Sequence, residues 1–69
     1  MNIDIRRSIK NNFKDSTSEE IVDSINSSIQ DQDEITLPGM GVFFEILWLN
    51  SNDELKNNII DIIKKNMEN

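Results

Sequence analysis

The chain has no cysteine and no histidine. Without cysteine there are no disulfides. Without either residue there is no Cys/His zinc site and no common nucleophile–histidine pair. Alanine is missing too, and the chain has one proline and only two glycines, Gly39 and Gly41. Those glycines lack the third glycine and the strand–helix setting of a dinucleotide site, and no Gly-Lys-Ser/Thr phosphate loop exists. The longest apolar run, Val42 to Leu49, is broken by Glu45. It falls far short of the roughly 20 residues that span a bilayer. The opening Met1-Asn2-Ile3-Asp4 lacks the basic start and long apolar stretch of a signal peptide. A soluble, intracellular protein with no membrane role is therefore expected, and the missing cysteines fit a reducing compartment.

What is present fits a single domain spanning residues 1–69. A chain of this size hides only roughly 60% of its unfolded surface. With disulfides and zinc excluded, dense aliphatic packing or oligomerisation must supply the stability. Ile is the natural material for such packing, at twelve residues from Ile3 to Ile63.

The net charge of −6 is unevenly placed: residues 1–14 carry +3, residues 15–55 carry −10 with no base, and residues 56–69 carry +1. An acidic protein is repelled by nucleic acid at long range, so nucleic-acid binding needs a local basic patch. Protonating the thirteen carboxylates in acid leaves seven Lys and Arg. The chain then becomes cationic and self-repelling, which favours solubility at low pH.

Hydrophobic spacing predicts an all-α domain of about four short helices, near residues 4–14, 17–30, 41–49 and 52–67. Ile5, Ile9 and Phe13 make the apolar stripe of the first, with Asp4 placed to cap it. Ile21, Val22, Ile25 and Ile29 make the face of the second, with Ser16–Glu19 or Thr17–Glu20 as its capping box. Leu55, Ile59, Ile62 and Ile63 make the last, with Ser51–Glu54 as its box and Lys64 and Lys65 in its final turn.

The segment 42–49 reads as a central buried helix, apolar nearly all round. The alternative is an α+β fold in which a hairpin at 35–48 packs against the helices, since short apolar runs are not settled by period alone. In either case Pro38-Gly39 predicts a type II turn, with Gly supplying the positive φ.

No constellation for catalysis stands out, so a non-enzymatic chain is expected, with no metal, cofactor or small-molecule substrate. Asp31, Asp33 and Glu34 lack the glycine and terminal Glu of a calcium loop and read as a solvated connector. Arg6, Arg7, Lys10 and Lys14 fall within an arc of roughly 100° on the first helix. They are the candidate nucleic-acid contacts. As a bland alternative they form a solvated face paired with the acidic second helix. Phe43, Phe44 and Trp48 lack the interleaved cations of a stacking platform and read as core or dimer contacts. The expected interaction or core segment is Leu37, Pro38, Gly39, Gly41, Val42, Phe43, Phe44, Ile46 and Trp48.

That segment, Leu37-Pro38-Gly39-Met40-Gly41-Val42-Phe43-Phe44-Glu45-Ile46-Leu47-Trp48, resembles the signature of the minor small acid-soluble spore protein I family. The family pattern is Leu-Pro-Gly, an apolar residue, Gly-Val, then apolar, Phe-Glu, two aliphatics and Trp. Arg6 near the start and Ile21-Val22-Asp23 followed by Ile25 extend the likeness over nearly the whole chain. Leu49 stands where the family more often has Lys or Gln. The resemblance implies a protein made in sporulation, residing in the cytoplasm of the forespore and then in the spore core. The apolar segment, read in that setting, points to structural or protein-interaction action, with a homodimer or another spore-core protein as partner. Weak DNA association through the first helix is the second, less favoured expectation. A shorter stretch resembles the histone-like HU family, where Leu-Pro-Gly-x-Gly-x-Phe lies in a hairpin of an intertwined dimer. The basic DNA-clasping arm of that family is missing here.

Overall fold

The computed structural model describes residues 4–32 and 34–67. Met1–Ile3, on which the leader argument turns, and Asp33 of the acidic connector lie outside the described residues. The described chain forms four α-helices: α1 (Ile5–Phe13), α2 (Ser18–Asp31), α3 (Leu37–Leu49) and α4 (Asp53–Lys65). A 3-10 turn at Glu34–Thr36 runs directly into α3.

Local chemistry accounts for most of the boundaries. Asp4 caps α1 by accepting from the Arg7 backbone N–H at 3.0 Å. Thr17 and Glu20 form the reciprocal box that opens α2: Thr17 Oγ1 accepts from Glu20 N–H at 3.2 Å, and Glu20 Oε1 accepts from Thr17 N–H at 3.0 Å. Gln32 closes α2 in the left-handed region at φ 50°, donating its N–H to Ile29 O. The expected box at Ser51 does not form. Asn52 caps α4 instead, accepting from Leu55 N–H at 2.8 Å, while the Ser51 hydroxyl turns back to Leu47 O at the end of α3.

The Pro38-Gly39 turn is the main correction. Neither glycine has positive φ, and both lie inside α3. No strand occurs among the described residues, so neither the hairpin at 35–48 nor the HU-like one forms. Proline is compatible with the first turn of a helix, where its missing N–H has no helical acceptor to lose, and Pro38 sits there. Gly39 serves packing rather than turning. A Cβ added to it would lie 3.1 Å from Ile9 Cδ1, so its bareness lets α1 settle against α3.

Gly41 has open space where its Cβ would be. Gly41→Ala is therefore expected to stabilise the fold by roughly 1 kcal/mol through helix propensity alone. Gly39→Ala should gain less, since its methyl group presses on Ile9. Thermal and urea unfolding of both variants checks this pair, and a destabilised Gly41→Ala would mean that residue 41 is not helical in solution.

Packing centres on α3, with α1, α2 and the 3-10 turn against it, while α4 touches the rest sparsely. Among the described residues only Val42 is buried, at 6% exposure. Phe13 meets Phe43 edge-on with ring centroids 5.1 Å apart. Lys56 Nζ lies 5.4 Å from the Trp48 ring centroid, linking α4 to α3. The central helix is only partly covered: Leu37, Phe44, Ile46, Leu47 and Leu49 stay exposed.

Candidate functional site

Between α1, α2 and α3 lies an apolar groove of about 640 Å³. Its floor is Ile9 and Phe13 from α1, Ile21 and Ile25 from α2, and Met40 and Phe43 from α3. The periodic stripes of α1 and α2 supply the first four, which is why two amphipathic helices and one all-apolar helix build a continuous wall. Phe44, Ile46 and Leu47 line the groove further along α3 and remain exposed, Phe44 at 43% and Leu47 at 45%. Phe44 stacks on Trp48 at 5.8 Å. Lys10 and Lys14 border the groove on the α1 side.

The expected interaction segment divides by burial. Val42 is core, while Gly39, Phe43 and Trp48 are half-buried. Leu37, Pro38, Gly41, Phe44 and Ile46 are exposed. Sequence reasoning passed over Met40 and Leu47, although an apolar residue between two glycines and another beside Trp48 were visible signals.

The basic face is also divided. Arg6 grips Glu45 with two hydrogen bonds, Nε to Oε1 at 2.7 Å and Nη2 to Oε2 at 2.8 Å. The pair joins α1 to α3 beside Val42, across one end of the fold. The signal for it was a lone carboxylate in an otherwise apolar helix, which needs a cation nearby. Arg7, Lys10 and Lys14 stay exposed, and their side chains make no ion pair among the described residues. In α4, Lys65 pairs with Asp61 at 2.9 Å on the surface.

The Arg6 hydrogen bonds hold the Glu45 carboxyl below its ordinary range against partial desolvation, with the charges of Arg6 and Lys10 assisting. Glu20 is lowered likewise, first by the Thr17 backbone N–H and then by its hydroxyl. A carboxylate whose folded pKa is depressed stabilises the fold above its unfolded value, and that contribution disappears as pH falls through the folded pKa. Stability should therefore decline as pH drops below about 4.3, the usual Glu value. Glu45→Gln should flatten this decline, as read from melting temperature against pH. An acid-unfolding profile unchanged by Glu45→Gln would show that the pair contributes nothing in solution.

Among the described residues, no three Asp or Glu gather closely enough to hold a metal ion. No described helix is long and apolar enough to cross a membrane.

Comparison with known proteins covers the whole fold. Residues 3–67 match the family described as "Small, acid-soluble spore protein I". The protein of that name from Halalkalibacterium halodurans is 34% identical over 68 residues, covering 99% of this chain and 100% of the relative. That from Geobacillus kaustophilus is 31% identical over 65 residues, covering 94% of each. That from Bacillus cytotoxicus is 28% identical over 69 residues, covering 100% of this chain and 99% of the relative. No solved structure matches. The Leu37–Trp48 signature, the full-length match and the like-sized relatives agree: the chain belongs to the small, acid-soluble spore protein I family.

Proposed function

We propose that this chain is a non-enzymatic protein of the forespore and spore core that works by protein contact through the groove on α3. The observation that carries the reading is the wall of exposed Phe44, Ile46 and Leu47 over a hydrophobic floor. Contiguous apolar surface of this kind marks an interaction site on a small protein. The family's relatives, by name spore proteins, supply the setting.

A photo-crosslinking amino acid in place of Leu47, introduced in sporulating cells, tests this. Polypeptide adducts identified by mass spectrometry are expected at position 47 and not at exposed Asn57. Adducts to DNA alone, or none, would overturn the reading.

A second reading, weak DNA association, is favoured by one observation: Arg7, Lys10 and Lys14 share a helix and make no ion pair among the described residues. With Arg6 committed to Glu45, three cations remain on a chain of net charge −6. Binding would be weak and salt-sensitive. A mobility shift of duplex DNA at about 50 mM salt, abolished by Arg7→Glu with Lys10→Glu, is its signature. No shift at that salt removes it.

A further inference from the structure

The chain exposes more surface than a protein of its mass should. Its accessible area is 6195 Å² at 8.0 kDa. Monomeric scaling gives about 4,450 Å² for that mass. The radius of gyration is 13.5 Å, against about 11 Å for a compact chain of this length. The excess, about 1,700 Å², matches what one protomer loses in an obligate homodimer, roughly 1,000–2,500 Å².

Among the described residues, apolar surface is exposed in two places: Phe44, Ile46 and Leu47 of α3 border the groove, and α4 adds a second apolar strip. Leu55 and Ile62 lie on one edge of the α4 stripe and are exposed, Ile62 at 62%. The chain thus carries both an apolar groove and an amphipathic helix whose own apolar face is only partly covered. Helix-in-groove contact is a recurrent docking mode.

The lining itself points the same way: apart from the bordering Lys10 and Lys14 it is wholly apolar. Two copies related by a two-fold axis meet the same surface on each side. The same apolar lining is then presented by both copies.

We propose that the occupant of the groove is a second copy of this chain, so that the working unit is a homodimer with α3 at its centre. This rests on the protein-contact reading above and names its partner.

Sedimentation equilibrium of the pure full-length chain is the test. A mass twice the 8.0 kDa of the monomer is expected. Leu47→Asp, at a position exposed in one copy, should return the mass to that of the monomer with its helical circular dichroism retained. Because the chain has no cysteine, a spin label on Leu47→Cys reports only distances between copies. A defined label-to-label distance is expected there, and this arm keeps the test informative if Leu47→Asp fails to fold.

A monomer at every concentration, or a dimer indifferent to Leu47→Asp, overturns the second copy. If the chain is a monomer and the crosslinker at position 47 captures a different, identified polypeptide, the homodimer falls and the protein-contact reading stands. If it is a monomer with no polypeptide adduct, both fall.

Discussion

Val42→Asp should abolish the fold. Val42 is the one buried residue among those described, and on α3 it lines a hollow with Ile5, Pro38 and the Arg6–Glu45 pair. An aspartate there would be desolvated among apolar groups, and the nearby cation, Arg6, is already bound twice by Glu45. Leaving a buried charge without compensation costs roughly 3–5 kcal/mol. A chain of this length has about 3–10 kcal/mol in total. The helical signal at 222 nm should therefore collapse at neutral pH. Val42→Ala, which removes only apolar volume, should cost about 1.5–3 kcal/mol and leave a folded protein with an earlier urea midpoint. A native circular dichroism spectrum for Val42→Asp would mean that residue 42 is not enclosed.

Phe43→Ala should be the next most damaging change. The ring of Phe43 packs edge-on against Phe13 and, with Ile9, Phe13 and Met40, lines both the large groove and a smaller hollow of about 220 Å³ under the 3-10 turn. Truncation removes the partition between them as well as the contact with α1. A fully enclosed Phe costs roughly 3–5 kcal/mol on truncation to Ala. Phe43 is half-buried, so about 2–3 kcal/mol is expected, a large share of the stability of a marginal domain. The adjacent Phe44→Ala should cost a lone chain less than about 1 kcal/mol, because that ring already faces solvent. If the dimer forms, Phe44→Ala acquires a penalty that grows with protein concentration. Urea denaturation of both variants at two protein concentrations separates these effects. Equal losses for the two would show that the faces of α3 are not distinguished in solution.

Both predictions depend on which side of α3 is covered, and that was the least legible part of the sequence. Helix existence was readable for α1, α2 and α4, because their apolar residues recur on one face and their starts carry Asp4, Thr17–Glu20 and a polar cap before Asp53. These are local signals, set by residues within a turn of one another. The cap of α4 was misplaced by one residue, from Ser51 to Asn52, since both side chains can accept from a helical N–H. The all-apolar run 42–49 had no such phase, and its helical reading stood beside a hairpin. The Pro-Gly pair misled for a physical reason. The same two residues suit a type II turn and the first turn of a helix, and the choice rests on what packs over the glycine.

By itself, the sequence determined an acidic, cysteine-free helical chain, the approximate extent of its helices, and through Leu37–Trp48 its family. Each of these depends on composition or on neighbours along the chain. Only the tertiary structure decided that Gly39 clears room for Ile9, that Arg6 leaves the basic face for Glu45, 39 residues away, and that Phe44 and Leu47 open to solvent while Val42 closes. Those outcomes follow from how α1 and α2 cross α3. The crossing is a balance of packing over distant residues, which no local pattern encodes.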